Sequence, residues 1–411
     1  MRRLTVFLGT VAFLHAAQFI AGADPPPVPV PPVDPGCAAT VPAAPGDVPG
    51  ADDTPDSLER AHQFATGAGV RVAVIDTGVA PHPRLPRVIP GGDLVVLREH
   101  RPDAPPPPDG ALDDCDAHGT IVAGILAARP SPDDGIVGVA PGVDLVSIRQ
   151  TSTRRATETV GAGGSLASLT DAVNLALDQG ARVINVSLTS CLSPEAVGKV
   201  DTDAFDDALA RAEELGVVVV AAAGNAGDRC PPGSVVLPAH RPTVISVSAI
   251  DTPHTVADYS VAGPGPLLSA PGRVPVALSP RGPGFVVGVA ERSGTGVFEG
   301  TSFAAPVVSG TAALLIELHP TDSAAGIRAR IAAAVDPATG TVDPATVITH
   351  VPADYRGIPH PVSVATPIEP PTGIRERSLS TVTILLVVVG VALIVRYAGA
   401  RRRRVRGRVD Q

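Results

Sequence analysis

Four short stretches of this chain hold residue types that together could run nucleophilic catalysis. Val74-Ile75-Asp76-Thr77-Gly78 ends an apolar run in a carboxylate and a turn. A charge at that place is costly unless it is hydrogen-bonded, and an imidazole N–H would satisfy it. His118-Gly119-Thr120 opens a helical pattern. It offers the side chain best matched to general-base work near neutral pH, and Gly119 permits close backbone approach. Gly300-Thr301-Ser302-Phe303-Ala304-Ala305-Pro306 opens another helix. A serine there has free backbone N–H groups and a favourable dipole beside its hydroxyl. Pro306 is expected near the end of the first turn, where a missing donor is tolerated. Ala222-Ala223-Gly224-Asn225 ends the most apolar strand, and the Asn225 amide could donate to an oxyanion forming beside Ser302. Each stretch alone is an ordinary turn, cap or helix start. Their order, Asp, His, Asn, Ser, points to acyl transfer.

Such residues need a scaffold that brings strand ends and helix starts to one edge. Val70–Ile75, Leu145–Ile148, Val183–Leu188, Val217–Ala222 and Val244–Ala249 read as strands, apolar on both faces as buried parallel strands are. Thr120–Ala127, Leu166–Gln179 and Ala204–Leu215 have helical spacing, and Gly180 stops the second. The alternation predicts α/β structure: a doubly wound parallel sheet with helices on both faces, binding its ligand beyond the carboxyl ends of the strands. The chain has 411 residues and is 44% hydrophobic but only 3% aromatic, so its core must be built from Val, Ala, Leu and Ile. Asp24 to about Pro55 is Pro-rich and is expected to form neither helix nor sheet. Arg101–Gly110 and Thr151–Ser165 read as exposed loops, and residues 352–378 as a Pro-punctuated linker.

The two ends carry targeting signals. Arg2 and Arg3, an apolar run from Leu4 to Leu14 and Ala21-Gly22-Ala23 read as a signal peptide over residues 1–23. Leu379–Val395 is long enough to cross a bilayer, and Arg396 and Arg401–Arg404 follow it. Basic residues stay on the cytoplasmic side. The expectation is a transmembrane helix over 379–396, a cytoplasmic tail over 397–411, and everything before the helix outside the plasma membrane. The net charge is −9; from Arg396 onward seven Arg and one Asp contribute +6, so the rest carries −15, and −17 without Arg2 and Arg3. That acidity argues against nucleic-acid binding. Export places the four Cys in an oxidising compartment, where two disulfides in any of three connectivities are possible. No C-x₂-C spacing and no D-x-D-x-D-G loop occurs, so neither metal nor cofactor is expected. His82 reads as a loop residue. Asp113, Asp114 and Asp116 read as a solvated acidic loop, close enough to His118 to raise its pKa.

Asp-Thr-Gly, His-Gly-Thr, Ala-Ala-Gly-Asn and Gly-Thr-Ser-x-Ala-x-Pro, as they stand here, resemble the motifs of the subtilisin family over roughly residues 57–351. The resemblance implies that Ser302 attacks a peptide carbonyl, that His118 takes its proton and that Asp76 orients the imidazole. It also implies that Asn225 and the Ser302 N–H hold the oxyanion. By the same resemblance Ser187-Leu188-Thr189, with Gly224 opposite, binds an extended peptide through its backbone, and Thr189 stands where the family has Gly. The whole layout resembles the mycosins, actinobacterial subtilisin-like proteases of type VII secretion systems. That layout is a signal peptide, a Pro-rich extension over 24–56, a peptidase core over 57–351, a linker, one helix and a basic tail. It implies protein substrates, secretion-complex partners, and an extension that wraps the core. Cys191 and Cys230 follow the strands carrying Ser187 and Asn225, which are expected neighbours, so these two are expected to pair and to leave Cys37 with Cys115. Two other readings fit part of the sequence. A G-x-S-x-G hydrolase would need its Asp and His after the serine, where His319 and Asp336 sit in no motif. A role mainly as a structural stabiliser of a membrane complex needs no triad.

Overall fold

The computed structural model describes residues 36–95, 109–154, 164–291, 294–351 and 373–406. The signal peptide, the start of the extension, residues 352–372 and most of the two expected loops lie outside them. The chain divides into two units, Met1–Ala353 and Asp354–Gln411.

The first unit is organised by six parallel strands: β1 (Arg71–Asp76), β2 (Val88–Asp93), β3 (Asp144–Arg149), β4 (Val183–Val186), β5 (Val218–Ala222) and β6 (Val244–Thr252). Their spatial order is β2-β3-β1-β4-β5-β6, and two short strands beside β6 complete the sheet. After β1 the chain crosses to β2 at the far side of the sheet and comes back to place β3 between β2 and β1. It then returns to the other side of β1 for β4, β5 and β6. β1 therefore lies at the topological switch point, where such sheets open a crevice beyond their carboxyl ends.

Period-two side chains cover both faces. Val72, Val74, Val218, Val220 and Ala222 enter one core, while Ala73, Ile75, Val219 and Ala221 enter the other. The first core packs against helices α1 (Gly119–Ala127) and α4 (Thr301–Leu318), the second against α2 (Leu166–Asp178) and α3 (Asp203–Glu214). Each fully buried Ile or Leu of these cores contributes about 1.5–3 kcal/mol of transfer free energy.

One strand goes unread in the sequence, and one expectation requires correction. Val88–Asp93 is a strand although Pro90, Gly91 and Gly92 punctuate it. It is the last strand on its side of the sheet, where a missing donor is tolerated, and a Cβ on Gly91 would meet Val146 Cγ1 at 2.5 Å. The Pro-rich extension is not wholly irregular. Thr40–Pro42 pairs antiparallel with Phe285–Glu291, and Cys37 is bonded to Cys115 at a Cα separation of 4.7 Å. Cys191 and Cys230 are bonded at 5.2 Å.

The C-terminal end of α4 holds the chain leading into β1. Glu317 Oε2 accepts the backbone N–H groups of Thr66, Gly67 and Ala68 at 2.8, 2.6 and 3.0 Å. Charge-assisted bonds of this kind are the stronger ones. Glu317→Ala is expected to lower unfolding stability by about 2–4 kcal/mol, read as a shift of the urea midpoint at constant m-value. A shift worth under about 0.5 kcal/mol would show the clamp to be immaterial.

The described residues of the second unit form one helix, Gly373–Arg406, which begins six residues before the expected span and runs ten beyond it. Every described side chain from Thr381 to Tyr397 except Gly390 is exposed. α4 is also long and apolar enough to cross a membrane, but 78% of it is buried inside the first unit, where it is the central core helix.

Candidate active site

Asp76 ends β1 with no exposed surface. Its Oδ1 accepts the Thr77 N–H at 2.7 Å and faces His118 Nδ1 at 2.7 Å. His118 caps the start of α1, and Gly119 makes that approach possible. A Cβ there would meet the Gly78 carbonyl at 2.1 Å and Asp76 Cβ at 3.1 Å, so any other residue would push the helix off the turn that carries Asp76. The imidazole, 26% exposed, rests against the Phe303 ring with centroids 5.2 Å apart.

The stretch before His118 is not the solvated loop its charges suggested. Asp114 has no exposed surface and accepts from Thr77 Oγ1 (2.8 Å), the Thr120 N–H (2.8 Å) and the His118 N–H (3.3 Å). It joins the turn after β1 to the start of α1. Burial pushes its carboxyl up to about 6, against the hydrogen bonds from Thr120 and Thr77. Arg149, at the end of β3 and 2% exposed, grips Asp93 through Nε at 2.8 Å and Nη2 at 2.6 Å and reaches Asp113 at 3.5 Å. Asp116 accepts from the Ser152 hydroxyl and from the Thr153 N–H and hydroxyl. Ala117, between them and His118, is the one non-glycine residue with positive φ, 59°, among the described residues. Such strain gathers where surrounding bonds over-determine the backbone. No residue type in the sequence signals it, since Asn, Asp or Gly would be usual there. His82 is a loop residue but a buried one, bonded to the Gly284 carbonyl at 3.1 Å.

For His118, burial is the largest influence and pulls the pKa down. The Asp76 carboxylate, by charge and by hydrogen bond, then Asp114 and Asp116, outweigh it, and the net direction is up.

Ser302 is the second residue of α4, so its N–H has no intrahelical acceptor. Asn225, past the end of β5, turns its amide to this helix start. Its Oδ1 accepts the Thr301 N–H and Thr301 hydroxyl, both at 3.0 Å, which leaves the Nδ2 amine as the outward donor. Gly300, at φ 151°, makes room for it: a Cβ would come within 2.9 Å of Asn225 Nδ2. The Ser302 hydroxyl donates to the Ser187 carbonyl at 3.1 Å and is not hydrogen-bonded to the imidazole. Hydrogen bonds of this kind are often absent without substrate.

Ser187, Leu188 and Thr189 follow β4 but belong to no ladder. Gly224, after β5, faces Val236, and a Cβ on Gly224 would lie 3.3 Å from both valine methyls. Asp76 and His118 meet at the end of β1, His118 rests on Phe303 beside Ser302, and the start of α4 is bonded to Ser187, Gly224 and Asn225. Asp114, Thr301 and Asn185 were not singled out. The described residues contain no His, Cys, Asp and Glu group suited to a metal ion.

The subtilase family profile matches residues 67–347, which carry all of these elements. The chain belongs to the subtilase family and is a serine endopeptidase. Mycosin-4 of Mycobacterium tuberculosis (strain ATCC 25618 / H37Rv) is 37% identical over 379 residues, covering 84% of this chain and 80% of its own. Among solved structures, MycP1 from the ESX-1 type VII secretion system is 33% identical with a TM-score of 0.67, over 79% of this chain and 92% of that one. A chain of an intact ESX-5 inner membrane complex is 31% identical with a TM-score of 0.65, over 89% and 99%. Within the subtilases, this is a mycosin-type protease.

Proposed function

We propose that this chain is a membrane-anchored endopeptidase that cleaves exported proteins outside the cell through an acyl-enzyme on Ser302, as part of a type VII secretion complex. The observation that carries the reading is the 2.7 Å contact between His118 Nδ1 and the buried Asp76 carboxylate at the switch point. It fixes the imidazole tautomer with Nε2 as the base.

An extended peptide pairs with Ser187–Thr189, and its N–H takes the Ser187 carbonyl. The Ser302 hydroxyl, displaced from that acceptor, turns to His118 Nε2. His118 removes its proton as Ser302 Oγ attacks the scissile carbonyl. The oxyanion forms between the Ser302 N–H and Asn225 Nδ2. His118 then protonates the leaving amine, and water repeats the sequence on the ester. A fluorophosphonate probe tests the nucleophile: the solubilised full chain should label, and Ser302→Ala should not. A folded chain that refuses the probe would overturn the reading.

The acid limb of kcat/KM follows loss of the His118 proton, so activity rises with pH. Because that proton is held above the ordinary 6.5, the limb lies above that value. Asp116→Asn removes one of the carboxylates holding it and moves the limb to lower pH, with the plateau retained. An unmoved limb would mean that Asp116 does not act on the imidazole.

The anchor is supported by the exposed apolar run Thr381–Tyr397, and a cytoplasmic tail by the Arg401–Arg404 cluster after it, since basic residues stay on that side. A second reading, stabiliser of the secretion membrane complex, is favoured by the likeness to a chain of the ESX-5 inner membrane complex. Secretion retained in a Ser302→Ala strain but lost on deletion would favour it.

A further inference from the structure

Pro306 is the sixth residue of α4, beyond the first turn where it was expected to be harmless. In a helix the N–H of residue 306 would donate to the carbonyl of residue 302, and proline has no N–H. The carbonyl left without its helical donor is that of the nucleophile. Another donor has replaced it: the Ser187 hydroxyl, at 2.8 Å from the Ser302 oxygen. The Ser187 hydroxyl in turn accepts from Asn185 Nδ2 at 2.9 Å, and Asn185 Oδ1 accepts from the Ser309 hydroxyl at 2.8 Å. All three side chains are buried, Asn185 and Ser309 fully. The chain of donors runs one way, from the middle of α4 through β4 and back to the helix start. Ser302 and Ser187 are therefore bonded twice, each hydroxyl to the other's carbonyl.

We propose that Ser187, through its hydroxyl, and Asn185 and Ser309 behind it are positioning residues for the nucleophile. They hold the Ser302 main chain so that its N–H and Oγ keep their angles to the incoming carbonyl. The proline frees the first turn of α4 from the helical ladder, and the side-chain relay sets it instead. Buried polar side chains are expensive in a core of Val and Ala. Here each one closes the hydrogen bonding of the next.

The inference rests on Ser302 being the nucleophile, so rates are expressed per site titrated with a fluorophosphonate. If the wild-type chain does not titrate, that reading has failed and not this one. The measurement is kcat and KM on a peptide p-nitroanilide, with thermal melts on every variant. Ser187→Ala is expected to lower kcat per titrated site by about 10- to 100-fold, with KM within about twofold, as for a small misplacement of a reacting group. Ser187→Thr keeps the hydroxyl and is expected to retain most of kcat. Ser309→Ala is expected to lower kcat less. The double variant with Ser187→Ala is expected to match Ser187→Ala alone, because one chain has been cut twice. The decisive variant is Pro306→Ala, which returns an N–H to the Ser302 carbonyl. In that background Ser187→Ala is expected to have little further effect on kcat. Two results would overturn the proposal: an unchanged kcat per site in Ser187→Ala, or an undiminished Ser187→Ala loss in the Pro306→Ala background.

Discussion

Ser302→Ala is expected to lower peptide turnover by about 10⁶-fold, the scale found for the catalytic serine of subtilisin, a relative of this chain. No neighbour can take over. Thr301, beside it in sequence, is fully buried, and its hydroxyl already donates to Asn225 Oδ1. Ser187 donates its hydroxyl to the Ser302 carbonyl. The loss should fall on kcat and leave peptide binding nearly intact, because Ser187–Thr189 offers its backbone whatever occupies position 302. Ser302 is half-buried and the substitution removes one atom, so the melting temperature should hardly move. A variant keeping more than about 1% of wild-type turnover would place the nucleophile elsewhere.

Asp76→Asn is expected to cost about 10⁴-fold in kcat, the loss known for the same exchange in a serine protease of unrelated fold. The side chain is buried and the replacement has its shape, so packing is preserved. What changes is the proton. Asp76 Oδ1 holds the His118 Nδ1–H at 2.7 Å. An amide presenting its NH₂ to that nitrogen reverses the tautomer, and Nε2 then carries a hydrogen and cannot accept one from Ser302. The same exchange withdraws the Asp76 charge, which is the main influence holding the imidazole proton up against burial. The acid limb of any residual activity should therefore move to lower pH. An Asp76→Asn enzyme within about tenfold of wild type would show that Asp76 is only a structural cap.

The sheet was legible because its strands are uninterrupted apolar runs ending at polar residues. Val217–Ala222 can hardly be anything but a strand buried on both faces. Asp76, His118, Asn225 and Ser302 were legible because each stands where a strand stops or a helix starts. Those are the places where an open parallel sheet exposes its backbone ends. Asp114 was not legible. A carboxylate among Asp113, Cys115 and Asp116 reads as surface, and only the folding of Thr77 and Thr120 onto it makes it a buried strut. Val88–Asp93 was missed because proline and glycine mask a strand at the end of a sheet. The relay behind Ser302 was missed for another reason: its four members come from residues 185, 187, 302 and 309, and no local pattern joins β4 to α4. Pro306 carries its meaning only through its place in the helix: at the sixth residue its missing N–H falls on the Ser302 carbonyl, whereas in the first turn it would cost nothing.

The bond between Cys37 and Cys115 closes a ring of the chain that contains Thr40–Pro42, β1 and β2. Cutting a ring once opens it without dividing it. A protease that severs the backbone at any one point between residues 38 and 114 leaves both pieces covalently joined beside His118. Trimming from the N-terminus can proceed to Gly36 without reaching the ring. On a denaturing gel the cut molecule would migrate as one band without reductant and as two with it. A single cut inside the ring would therefore escape notice by size alone, and the severed extension would stay tethered to Cys115, three residues before His118.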